Sequence, residues 1–146
     1  MTKTVNESSL SRLYEYFQRH TSGAISASRG ERTRTQNARL TRVMKAHLQS
    51  IGYSVTEVKG SYVENFESPD AVELGERSLV VVNTKVDGAD NGALERDLVA
   101  LGRLYDQDSV LIIPVGGRDA YLVGTSKRSN AFPDYNQKVR VGSGQY

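Results

Sequence analysis

The sequence predicts an α/β (α+β) fold, a single domain in which a mixed β-sheet is packed by about three helices. Two continuous apolar runs support this, Leu79-Val80-Val81-Val82 and Val110-Leu111-Ile112-Ile113. Strands covered on both faces show such unbroken Val, Ile and Leu stretches. Three sets of apolar residues at helical spacing stand before and between them, and helices alternating with apolar strands define the class. A length of 146 residues suits one domain with one real core.

In chain order, Leu10, Leu13, Tyr14 and Phe17 recur at i, i+3, i+4 and i+7, so they share one face of a first helix over about residues 9–20. Residues 6–9 supply caps, and Thr21, Ser22 and Gly23 end the helix. Small, partly alternating residues over 24–28 suggest a short strand. A second helix is marked by Leu40, Val43, Met44, His47, Leu48 and Ile51, with Thr35 or Asn37 as cap and Gly52 at C′. On that stripe Met44 is core, and His47 is expected as a satisfied core or boundary histidine. Residues 53–65 hold two β-rich runs around Lys59-Gly60-Ser61, which fits the tight turn of a hairpin. A loop is expected over 67–75 and the first apolar strand over 78–83. Asn91-Gly92 fits a helix entry, and Leu94, Leu98, Leu101 and Tyr105 mark a third helix over 92–105. Pro114 limits the second apolar strand, 110–115, at its far end. Gly116-Gly117 then turns the chain into an antiparallel partner over 120–125. The expected division is an N-terminal helix at 1–22, an α/β core at 23–126 and an irregular tail at 127–146, ordered where Phe132 or Tyr135 docks.

Composition excludes several kinds of chemistry. The absence of cysteine removes disulfides, thiolate zinc sites and a cysteine nucleophile. The two histidines, His20 and His47, both lie in helical patterns, which argues against a histidine metal site and a Ser–His–Asp triad. No metal and no cofactor are expected. Nothing approaches the length of a membrane span, and the N-terminus has no apolar signal core, so the expected location is the cytoplasm, with a virion as the alternative for a phage protein. The formal charge of +2 is small, but it is unevenly spread. Residues 28–45 and 127–140 are basic and 57–97 mostly acidic, a pattern that suits either an anionic partner or solvated charged faces.

The candidate site centres on residues 24–52. Ser26, Ser28 and Arg29 lie just beyond the expected strand end, where an arginine fork beside hydroxyls can hold a carboxylate or phosphate. The N-terminus of the second helix adds partial positive charge there. The competing reading pairs Arg29 with a structural carboxylate such as Glu76. Arg32 and Arg34 are expected as exposed loop residues. Asn37 serves either a ligand or a first-turn hydrogen bond, and Arg39 sits where the helix dipole disfavours a cation, so an acidic group is expected near it. Glu76, at the entrance to the apolar strand, is either a buried ion-pair partner or a weak candidate for a general base. Gln107 and Ser109 either line the same sheet edge as Ser78 or simply form a helix C-terminal turn and a strand start, and the second reading is the favoured one. Gly116-Gly117 lacks the following Lys-Ser/Thr and helix of a phosphate loop. The scattered tyrosines do not form an RNA-stacking platform.

Together, Ser26-Ala-Ser-Arg29, Asn37-Ala-Arg39, Gly52-Tyr53, Lys59-Gly60-Ser61-Tyr62, Glu76-Arg-Ser78-Leu-Val-Val and Gln107-Asp-Ser109-Val-Leu resemble a family of small α/β proteins of unknown function from bacteria and bacteriophages. The resemblance covers about residues 23–123 and implies a phage or bacterial accessory protein with no reaction type. Two functions follow as expectations. The first is a binding protein for a small anionic ligand such as a nucleotide or phosphorylated metabolite, held by Arg29 and Arg39 and oriented by Asn37 and Ser28. Turnover has less support, because no nucleophile–base pair can be read. The second is a virion-associated or host-protein interaction protein, its polar cluster a structural ion-pair network. Nucleic acid is the least favoured partner, and no membrane is involved.

Overall fold

The computed structural model describes residues 7–26, 32–64 and 72–141. Among them the elements run α1 (Glu7–Arg19), β1 (Ser22–Ser26), α2 (Arg34–Ser50), β2 (Ser54–Glu64), β3 (Val72–Val82), α3 (Ala93–Leu104), β4 (Ser109–Ile113), β5 (Tyr121–Gly124) and β6 (Lys138–Arg140). The α+β class is as expected. The six strands form one sheet in the order β2-β3-β1-β4-β5-β6.

The mixed sheet was not. Every neighbouring pair is antiparallel. The two apolar strands, β3 and β4, are not neighbours; the short β1 lies between them and runs opposite to both. Periodicity marked both strands as central and carried no information on what separated them.

One face of this sheet carries the core. Ile25, Leu79, Val81, Val110, Ile112 and Val123 form a single buried cluster with Met44 and Leu48 of α2 and Leu94, Leu98 and Leu101 of α3. The helices α2 and α3 therefore share that face and make a two-layer sandwich with the sheet. Each fully buried leucine is worth about 1.5–3 kcal/mol relative to exposure, which is why the helical stripes dictate the layering. The α2 stripe is narrower than its spacing suggested. Leu40, Met44 and Leu48 pack inward, whereas Val43 is 49% exposed and His47 is exposed, so His47 is no core histidine. Gly52 does take the C′ position, with φ +102, and Tyr53 N bonds back to Leu48 O at 3.1 Å.

Two further expectations change. Lys59-Gly60-Ser61 is not a turn: β2 runs straight through it, opposite Arg77, Glu76 and Gly75 of β3. The pairing partner of this stretch lies across the 65–71 connection, and long-range pairing won over a local turn. The tail is also less irregular than expected, since β6 pairs with β5. Tyr135 is half-buried beneath Arg103 and Lys127, whereas Phe132 is 64% exposed. Among the described residues, no helix is long and apolar enough to cross a membrane.

Candidate functional site

Of the sequence-predicted residues, the fold brings Ser26 and Ser78 side by side. Ser26, the last residue of β1, is the direct cross-strand partner of Ser78 on β3, and both are half-buried. Glu76 lies two residues earlier on β3, opposite Gly60. Ser28 and Arg29 lie outside the described residues, so neither an Arg29–Glu76 pair nor a convergence of Arg29 with Asn37 is described.

The N-terminus of α2 is built differently from expectation. Its cap is Thr33, not Thr35 or Asn37: Thr33 Oγ1 accepts from Gln36 N at 3.1 Å, and Gln36 Oε1 accepts from Thr33 N at 2.9 Å. This reciprocal pair satisfies two otherwise orphaned donors. Asn37 is thereby moved inside the helix, half-buried, with its carbonyl accepting from Thr41 Oγ1 at 2.7 Å. Arg39 is exposed.

Arg32 is the main correction. Instead of a solvent-exposed loop residue it is half-buried, and its Nη2 donates to Tyr105 O at 3.1 Å. That carbonyl closes α3, where the helix dipole favours a cation. Arg32 so ties the start of α2 to the end of α3. Gln107 meets the same carbonyl, Nε2 to Tyr105 O at 3.5 Å, and is only 6% exposed.

A cluster that sequence reasoning missed surrounds Gln107. Arg128 bridges Asp106 and Asp108, the residues on either side of it. Ser126 Oγ donates to Asp106 Oδ1 at 2.7 Å, and Thr125 Oγ1 donates to Gln107 O at 2.5 Å. Asp106 adopts φ +52, a left-handed conformation that costs a non-glycine residue energy unless its surroundings fix it. The alternation Asp-Gln-Asp was visible in the sequence, but nothing local announced that an arginine twenty residues on would clamp it.

A separate cleft of about 320 Å³ lies between α3 and the β5–β6 edge, floored by Val99 and Val123 with Glu95, Arg103 and Lys138 at its rim. Glu95 accepts from the Tyr121 hydroxyl and pairs with Lys138 Nζ at 3.1 Å. Burial, and then the Glu95 carboxylate, push the Tyr121 hydroxyl pKa well above its ordinary value. The cleft includes none of the predicted site residues. The other two cations of the cleft bond neutral oxygens, Arg96 to Asn91 O and Arg103 to Asn136 Oδ1.

Residues 23–145 match the S-adenosylmethionine lyase family. The chain belongs to that family. The match begins at β1 and takes in α2, β3, the Tyr105–Asp108 turn and β6, so it covers every candidate residue. It agrees with the resemblance to a small bacterial or phage family. It also overturns the expected function, because an S-adenosylmethionine lyase family is one of enzymes, not of binding or interaction proteins without turnover. The expectation failed because it looked for a nucleophile–base pair, and a lyase acting on a sulfonium need not have one. No curated protein and no solved structure matches the chain.

Proposed function

We propose that this protein is a lyase that binds S-adenosylmethionine and breaks a carbon–sulfur bond at its sulfonium without water or redox chemistry. The observation that carries this reading is the family match over residues 23–145. Chemistry agrees with it. A sulfonium sulfur is already an activated leaving group, so no protein acid is required. The substrate also brings its own nucleophile, the α-carboxylate of its methionine portion. Attack of one carboxylate oxygen on Cγ forms a C–O bond as the Cγ–S bond breaks, and the electron pair goes to sulfur. The products are a five-membered lactone and neutral methylthioadenosine, with no proton transferred.

An enzyme for this step has two tasks, to fold the substrate's tail into line with the Cγ–S bond and to exclude water. Positioning of that kind supplies much of the acceleration available to an intramolecular reaction. Arg29 and Ser28 are the candidates for holding the tail, and Ser26, Ser78 and Gln107 for lining the pocket. Glu76 carries the charge that complements the substrate's cations. Arg39 and Asn37, on the first turns of α2, complete the set. A phage protein of this kind would consume a host metabolite rather than sequester one.

The test is to incubate the purified chain with S-adenosylmethionine and identify both fragments by mass spectrometry. Methylthioadenosine with homoserine lactone supports the reading. Methylthioadenosine with an unsaturated amino acid would instead mean elimination and give Glu76 a role as base. Substrate returned intact would sink the proposal.

A further inference from the structure

Gln107 is held more firmly than a helix-to-strand connector requires. Its N donates to Gly102 O at 2.8 Å, and its O accepts from Thr125 Oγ1 at 2.5 Å. On its two sides Arg128 grips Asp106, through Nε to Oδ2 at 3.4 Å and Nη2 to the backbone O at 3.2 Å, and the Asp108 carboxylate. Ser126, 1% exposed, joins Arg128 Nε at 3.0 Å to Asp106. Even the helix backbone is shaped to this turn, since a Cβ on Gly102 would come within 2.9 Å of Thr125.

The side chain is fixed as well. Tyr105 O is a carbonyl that already accepts from Arg32 Nη2, and it can only accept. The amide nitrogen of Gln107 must therefore face it, which turns Oε1 away as an acceptor with no partner among the described residues. Among the described residues no buried side-chain polar atom lacks a partner, so this Oε1 is reachable from outside the fold although the residue is only 6% exposed. An oriented, neutral, accessible acceptor suits a neutral donor on a flat group better than an ammonium, which would draw a carboxylate. The adenine of S-adenosylmethionine presents such a donor in its exocyclic amine.

We propose that Gln107 is the specificity-determining residue for the adenine amine, through Oε1, and that Arg128 is its positioning residue. This rests on the reading that the protein acts on S-adenosylmethionine and that Gln107 lines its pocket. A base with a carbonyl in place of the amine sets acceptor against acceptor, and a site built around one hydrogen bond rejects the analogue that cannot make it.

The experiment measures kcat and KM of the full chain for S-adenosylmethionine and for its hypoxanthine analogue. The wild type should prefer adenine by about 10–100-fold. Gln107→Ala should abolish most of that preference, chiefly through KM for the adenine compound. Arg128→Lys keeps the charge but loses the fork, and should erode the preference part-way. A purely structural role for Arg128 would lower both substrates' kcat/KM equally and leave the ratio unchanged. Should Gln107→Ala fail to fold, Gln107→Met preserves volume without the acceptor and should lose the preference in the same way. A wild type indifferent to the base, or a Gln107 variant that keeps the full preference, would overturn the inference. If neither compound is turned over, the functional reading fails first and takes this inference with it.

Discussion

Asp90 is 8% exposed, and its carboxylate accepts from Asn83 Nδ2 at 2.8 Å, Leu94 N at 2.9 Å and Gly92 N at 3.1 Å. It holds the entry to α3, where Gly92 at the N-cap has no side chain to do so. Burial alone would raise its pKa, but the hydrogen bonds from Asn83, Leu94 and Gly92 outweigh burial and hold it below the ordinary 3.8. Asp90→Asn replaces one acceptor oxygen by an amide N–H, which must oppose either the Gly92 N–H or the Asn83 and Leu94 donors. The expected loss is about 2 kcal/mol, combining a lost cap with a buried unsatisfied group. The sign with pH follows from the depressed pKa. The carboxylate's contribution is complete above about 3.8 and is lost as pH falls through the lower folded value. Urea unfolding of both proteins from neutral pH downward should therefore show a constant gap that narrows only below that range. A gap that widens on acidification would mean that Asp90 is not the charged acceptor described.

At the scale of elements, β1 decides how closely α3 approaches the sheet. A Cβ on Gly23 would lie 2.5 Å from Leu111 O and 2.7 Å from Leu98 Cδ1. The first neighbour is backbone of β4 and cannot rotate away. Gly23→Ala should cost about 1–3 kcal/mol through overpacking, a fall of several degrees in Tm measured by circular dichroism. An unchanged Tm would show that α3 and β1 are looser than their contacts indicate. This close approach also explains what sequence reading could and could not find. Leu94, Leu98 and Leu101 declared α3 by spacing alone, and Leu79 to Val82 declared a buried strand, because burial on a periodic element leaves a periodic trace. β1 had little signal because a strand pressed against a helix needs small residues, and small residues also look like loop. Lys59-Gly60-Ser61 looked like a turn because turn chemistry is local, whereas its place in β2 depends on residues 75–77 across a connection. The candidate residues were legible only as a list of polar positions, of which the fold joins Ser26 and Ser78 as one rung. The Arg32–Tyr105 tie and the Arg128 clamp were not legible, since each joins residues that only the tertiary fold brings together.

At the scale of the whole molecule, an antiparallel sheet is backed by α2 and α3, and Arg32 ties the start of α2 to the end of α3. Such a scaffold suits a reaction whose difficulty is geometric. If the substrate's carboxylate displaces its own sulfonium, no proton moves in the bond-breaking step and no protein group has to change its protonation. The pH dependence of kcat should then be flat over about pH 6–9, because a bell-shaped profile reports a titrating acid or base in the bound complex. Turnover in heavy water should proceed at an unchanged rate, and deuterium at Cβ of the methionine portion should not slow it. An elimination would behave differently on each count. It needs a base, so kcat would fall as that base protonates, and breaking the Cβ–H bond would bring a large isotope effect. Measuring kcat across pH with both protiated and Cβ-deuterated S-adenosylmethionine separates the two routes in one experiment. A flat, isotope-insensitive profile assigns the protein to positioning and water exclusion. A sloping, isotope-sensitive one makes a carboxylate such as Glu76 the catalyst and rules out the intramolecular route.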